Sequence, residues 1–132
     1  MSTYTLSTTV EAPFAATLDR VREGLTDVGF GVITEIDMAA TMKAKLDLDL
    51  PPQVILGACR PALAHQAMQA DPSIAAVLPC NVVVRSVDPA TTVVETFDPA
   101  FMANLAGDAL REVATDAGER LNALLTTLAQ EA

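Results

Sequence analysis

The sequence predicts an α+β domain, in which a mostly antiparallel sheet of about five strands carries two long helices on one face. Three observations predict this class: five short runs with strand-like patterning, two apolar stripes with helical spacing, and two late strands joined by a tight turn. The chain has 132 residues, fewer than a typical domain of about 150, so a single domain over residues 1–132 is expected. The predicted order of elements is β-α-β-(α)-β-(α)-β-β-α.

The first strand and helix are predicted from a change in the spacing of apolar residues along the chain. Residues 4–10 alternate along the chain and predict a strand, whose many hydroxyl side chains suit a sheet edge. Apolar residues at 14–28 then recur at steps of four and three, which predicts an amphipathic helix. Pro13 suits the first helical turn, and Gly29 suits the left-handed position just past the end. Residues 31–36 are predicted as the second strand.

The middle of the chain predicts shorter elements. Asp37 is a typical N-cap for a short helix over residues 38–45. Residues 53–59 predict the third strand, and Pro61 opens a helix that reaches about residue 70. After the break at Asp71-Pro72, residues 74–78 are expected to form one helical turn.

The last third predicts a hairpin and a long helical region. Residues 80–87 and 91–97 have strand composition, and the turn 88–90 between them lets the two strands pair directly. Asp98-Pro99 begins the final helical region, which Gly107 is expected to interrupt. The apolar stripe of the last helix consists of Leu110, Val113, Ala117, Leu121, Leu124 and Leu128.

The amino-acid composition and net charge exclude several classes of protein and of binding partner. Hydrophobic residues make up 51% of the chain, which excludes a disordered protein. Seventeen acidic residues against eight basic ones give a net charge of −9, which repels nucleic-acid backbones and anionic lipid surfaces. The polar N-terminus lacks the pattern of a signal peptide, and no apolar run is long enough for a membrane span. We therefore expect a cytoplasmic protein with no nucleic-acid or membrane partner, whose two cysteines are thiols.

Three segments resemble a known family. They are GFGVITEID at residues 29–37, LGACRPALAH at 56–65 and LPCNVVV at 78–84. Together they resemble the family called "domain of unknown function 302" over nearly the whole chain, although Arg60 stands where that family often has Asn. The resemblance implies a small α+β fold of the TATA-binding-protein-like type and a tendency to form homodimers. It implies no reaction.

The candidate site follows from strand pairing. If the third and fourth strands pair antiparallel, Cys59 at the end of one lies near Cys80 at the start of the other. Arg60 and Asn81 adjoin these cysteines in the sequence, and His65 lies about one turn into the following helix. Two thiolates and one imidazole suit Zn²⁺ or Cu⁺, so Cys59, Cys80 and His65 are a candidate metal set.

Two other interpretations of the same residues remain open. The helix N-terminus and Arg60 would favour the thiolate form, as a redox pair requires. Alternatively, the cysteines are small hydrophobic residues of the core. The C-x5-H spacing, and the 20 residues between the two cysteines, match no standard zinc pattern.

Two classes of function follow. The first is a module that binds a small molecule or a soft metal ion, without catalysis of its own. The alternative is a thiol-dependent redox protein or enzyme that uses Cys59 and Cys80. The sequence has no glycine-rich phosphate loop, nucleophile elbow or H-E-x-x-H motif, and it identifies no cofactor. Whether the protein is an enzyme therefore stays open.

Overall fold

The computed structural model describes residues 3–131, and its framework is one antiparallel sheet. The strands are β1 (Thr5–Val10), β2 (Gly31–Asp37), β3 (Gln53–Cys59), β4 (Cys80–Asp88) and β5 (Thr91–Phe97). They lie side by side in the order β1-β5-β4-β3-β2, and every neighbouring pair is antiparallel. The sequence-adjacent strands β4 and β5 form the predicted hairpin, and β1 and β2 are the two edges.

Five α-helices and two 3-10 turns complete the described part of the chain. The helices are α1 (Phe14–Asp27), α2 (Met38–Leu46), α3 (Pro61–Ala70), α4 (Ala100–Ala106) and α5 (Arg111–Glu131), and the 3-10 turns are Pro72–Val77 and Gly107–Leu110. As expected, the last helical region breaks at Gly107, whose φ of 77° suits glycine. Within residues 3–131, no helix is both long and apolar enough to cross a membrane.

The core lies between one face of the sheet and the two long helices. Alternate residues of the central strands, such as Leu56 and Val82, are fully buried on this face. Leu18, Val21 and Leu25 of α1 pack against the same layer. From the predicted stripe of the last helix, every member is buried: Leu110, Val113, Ala117, Leu121, Leu124 and Leu128. The predicted α+β class, with its antiparallel sheet and two long helices on one face, is confirmed.

The end of α1 turns the chain into β2. Gly29 has a φ of 92°, and the N–H of Phe30 donates to the Leu25 carbonyl at 2.8 Å, closing a Schellman turn. The Arg120 side chain from α5 donates to the Val28 carbonyl at 2.8 Å. These bonds satisfy the last carbonyls of α1 and place the Phe30 side chain in the core.

The β2 edge is the most exposed part of the sheet. All seven residues of β2 are exposed, and none of the nine residues of α2, all of which the structure describes, is buried. Asp37 joins the two elements as the predicted cap, since its carboxylate accepts from the Ala40 N–H at 2.9 Å. This edge therefore extends an apolar-rich strand and a short helix away from the core.

Candidate functional site

The two cysteines lie at the same end of neighbouring strands. In the antiparallel ladder of β3 and β4, Ala58 is opposite Cys80, so Cys59 is one residue beyond the start of β4. Both cysteines are free thiols, half-buried, and both line one small, partly open cavity of about 30 Å³. The structure therefore brings Cys59 and Cys80 together by strand pairing.

Apolar side chains from every layer of the fold surround this cavity. Residues that close it include Phe30, Ala58, Leu63, Ala67, Met102 and Val113. They come from the residue that precedes β2, from β3, and from three helices. Among the described residues that line the cavity, Arg60 alone carries a charge. The site is thus an apolar pocket lined by two cysteines and one arginine.

A larger groove adjoins the cavity. It has a volume of about 260 Å³ and shares Pro79, Cys80 and Met102 with the cavity. Its remaining wall includes Asn81 and Phe97. Asn81 therefore belongs to the site through this groove, and Cys80 lines both spaces.

The cavity environment keeps Cys80 protonated. Burial raises the pKa of the Cys80 thiol, and the nearby Cys59 raises the pKa further because two thiolates would repel each other. The expectation that the helix N-terminus and Arg60 favour a thiolate is therefore wrong for Cys80. Removal of the sulfur from water is the larger of the two causes.

His65 does not join the thiols. Leu63 and Ala67 are buried and line the cavity, whereas His65 is exposed on the same helix. His65 is two residues from each of them, about 200° around a helix of 3.6 residues per turn, so it lies on the opposite face. Within residues 3–131, no group of three or more His, Cys, Asp and Glu side chains is placed to hold a metal ion. The predicted set of Cys59, Cys80 and His65 is not assembled.

Several lining residues were not predicted from sequence. Leu63 and Ala67 are spaced by four in a helix, a pattern that identifies an inward face but not what that face contacts. Met102 reaches the cavity from α4, and Val113 from α5. Both residues follow the cysteines in the chain by more than 20 residues, and no local pattern links them to the site.

Comparison with known proteins gives the same picture of fold and family. The family model described as "Domain of unknown function DUF302" matches residues 6–128. A crystal structure of an uncharacterized conserved DUF302 protein from Bacillus stearothermophilus is 29% identical, with a TM-score of 0.84, over 95% of this chain and 98% of that one. No curated protein matches this chain. The chain belongs to the DUF302 family.

Proposed function

We propose that this protein is a small-molecule-binding module whose ligand occupies the Cys59–Cys80 cavity and the adjoining groove. The observation that carries the proposal is an apolar-lined cavity whose lining residues include one half-buried arginine, Arg60. Ligand sites are typically concave and mostly apolar, with a few polar groups that fix orientation. This cavity has both properties.

The volumes favour a small ligand. The cavity of about 30 Å³ has room for a group the size of a water molecule or a methyl. The groove of about 260 Å³ lies just below the range of about 300–1,000 Å³ for pockets that take drug-sized molecules. A ligand with a chain of a few carbon atoms fits the groove and the cavity together, with one end of the chain in the cavity.

A probe titration tests the proposal. Hexanamide, a neutral molecule with a short apolar tail, is added to the ¹⁵N-labelled protein while backbone amide shifts are recorded. We expect saturable shifts at cavity residues such as Cys59, Leu63 and Cys80. The variant Ala64→Leu should abolish these chemical-shift changes, because Ala64 lines the cavity and the larger side chain would fill it. Ala62→Leu, on the exposed side of the same helix, is the matched control and should bind as the parent does. Shifts that never saturate, or that survive Ala64→Leu, would contradict the proposal.

The binding proposal is favoured over the thiol-dependent alternative by the protonation of Cys80. A raised thiol pKa lowers the fraction of thiolate, which is the reactive form. We expect iodoacetamide to modify Cys80 at neutral pH more slowly in the folded protein than in urea, because the raised pKa lowers the fraction of thiolate in the folded state. Mass spectrometry of the alkylated peptides measures the two rates. Faster modification in the folded protein would instead support thiol chemistry.

We also propose that a second copy of the chain pairs with the β2 edge. An exposed edge strand is a template for pairing, and isologous dimers commonly use one patch twice. Ile33 is 61% exposed and Ile36 47% exposed on β2, and Leu48 beyond α2 is 48% exposed. Antiparallel pairing of two β2 strands would cover this apolar edge in both copies.

Light scattering at micromolar concentration tests the dimer. The expected mass is twice 13.8 kDa. Ile33→Lys adds charge to the edge and should give the monomer mass. Val87→Lys changes an equally exposed residue of β4 (55% exposed) and should leave the dimer intact. A monomer mass for the parent protein would overturn the proposal.

We further propose a cytoplasmic location. Cys59 and Cys80 lie on neighbouring strands as free thiols, which suits a reducing compartment. Fractionation of expressing cells, with detection by antibody, should find the protein in the cytoplasmic fraction. Recovery in a secreted or periplasmic fraction would contradict this location.

A further inference from the structure

We propose that the ligand of this site is an anion, a small carboxylate with a short apolar tail, and that Arg60 binds the carboxylate. This inference rests on the proposed function and adds the chemical class of the ligand. The tail would occupy the cavity and groove, and the carboxylate would lie against the Arg60 guanidinium at the cavity rim.

Arg60 differs from the other arginines in its partners. Each of the other five either forms an ion pair with a carboxylate or donates to a backbone carbonyl: Arg20, Arg22, Arg85, Arg111 and Arg120. Within residues 3–131, the Arg60 guanidinium has neither a hydrogen-bond nor a salt-bridge partner. The chain has 17 acidic residues for 8 basic ones, so an arginine without a carboxylate is not explained by a shortage of acids.

The Arg60 side chain lies at the end of α1. Its Nε lies 3.2 Å from the point that a β-carbon on Gly29 would occupy, and an Nη of Arg120 lies 3.1 Å from the same point. The two guanidinium groups therefore meet over Gly29. Arg120 is already used, because it donates to Asp116 at 2.5 Å and to the Val28 carbonyl at 2.8 Å. Asp116 thus pairs with Arg120, and among the residues that the structure describes no carboxylate pairs with Arg60.

The chemistry of these groups selects a carboxylate with a tail. A half-buried cation without a partner has lost part of its hydration, and an anion that binds it restores the lost interactions. The planar guanidinium presents paired N–H groups that match a carboxylate. The adjoining wall is apolar, with Leu63 and Met102 among its residues, so it favours an alkyl chain over further charge.

The test compares two probes of the same length. Hexanoate and hexanamide are titrated separately into the parent protein and its variants, and amide shifts give each dissociation constant. In the parent, hexanoate should bind about tenfold more tightly than hexanamide, as a charge-assisted hydrogen bond implies. Inorganic phosphate, an anion without a tail, should bind at least about tenfold more weakly than hexanoate, because it buries no apolar surface.

Variants assign the preference to Arg60. Arg60→Gln should lower hexanoate affinity to that of hexanamide and leave hexanamide unchanged. Arg60→Lys keeps the charge and should keep most of the preference, whereas Lys45→Gln removes a charge from α2, which does not line the cavity, and should have no effect. If Arg60→Gln fails to fold, salt dependence in the parent protein provides the test: only hexanoate affinity should fall as ionic strength rises.

The outcomes separate this inference from the proposed function. Equal affinities of the two probes in the parent protein, or a preference for hexanoate that survives Arg60→Gln, would overturn the assignment of an anion to Arg60 while leaving a binding site. Failure of both probes to bind would overturn the proposed function, and the anion assignment with it.

Discussion

The side chain of Thr34 covers Gly57 across the ladder of β2 and β3. The two residues are directly paired, and the Thr34 hydroxyl occupies the position that a β-carbon on Gly57 would need. The ring of Pro79 closes the same space from another side, with its Cγ 2.9 Å from that position. The glycine therefore permits close packing beside the cavity, and the space above it is filled by the protein itself.

Gly57→Ala should destabilise the fold. The added methyl overlaps Thr34 and Pro79, and overpacking of this kind costs about 1–3 kcal/mol. Urea unfolding followed by circular dichroism measures the change. The double variant Thr34→Ala/Gly57→Ala should recover part of the lost free energy of unfolding.

Gly118→Ala, where no atom lies within 4 Å of the new β-carbon, should instead stabilise α5 by about 0.5–1 kcal/mol. Equal effects of the two glycine substitutions would contradict the packing argument.

Leu121→Asp should unfold the protein. Leu121 is a fully buried residue of α5. The substitution buries an unpaired carboxylate and also removes the packing of the leucine side chain. Together these two losses exceed the free energy of unfolding of a small domain, which is about 5–15 kcal/mol. The neighbouring Asn122→Asp adds the same charge at an exposed position and should melt near the parent temperature. Thermal melts of the two variants measure the contrast. A cooperative melt of Leu121→Asp at the parent temperature would show that the stripe is not the core face.

Stability should fall at alkaline pH because of Cys80. Its pKa is raised above the ordinary 9.0, so the folded protein holds this proton more tightly than the unfolded chain does. The contribution is fully present below the ordinary pKa and is lost as pH rises toward the raised value. Cys80→Ala should therefore show a smaller fall in the free energy of unfolding between about pH 8 and about pH 10.

Matched measurements isolate this effect. Cys59→Ala removes only the smaller cause of the raised pKa, so its pH dependence should be intermediate between those of the parent and Cys80→Ala. Lys43 also has a raised pKa, but it titrates above 10.5, outside the interval used. Identical slopes for the parent and Cys80→Ala would contradict the burial of this thiol.

Gly29→Ala should destabilise the fold and disturb the Arg60 site together. The φ of 92° is strained for alanine, at a cost of about 1–2 kcal/mol, and the methyl would press on Arg60 and Arg120. Gly31→Ala, where the nearest atom is 3.8 Å away and φ is not positive, should change stability by less than about 1 kcal/mol. Urea unfolding of both variants, with hexanoate titration of the folded forms, checks the paired expectation. Normal hexanoate binding by Gly29→Ala would contradict the expectation that the turn at Gly29 positions Arg60.

Local sequence signals predicted most element boundaries. The strands Gln53–Cys59 and Thr91–Phe97 and the helix Pro61–Ala70 begin and end where predicted, because proline, turn residues and a change of hydrophobic period act within a few residues. The same local logic predicted the Asp37 cap and the break at Gly107. It also predicted that Cys59 and Cys80 would be neighbours, since a short connection joins two antiparallel strands.

The sequence by itself determined the α+β class, the two core stripes and the pairing that brings the cysteines together, because each depends on contacts between chain neighbours or adjacent strands. Only the tertiary structure decided which side of α3 faces inward, and it left His65 in solvent while Leu63 and Ala67 reached the cavity. It also brought Met102 to the cavity and Arg120 over Gly29 beside Arg60. Those contacts join segments distant in sequence, and their geometry is set by how the helices pack against the sheet, which no local pattern encodes.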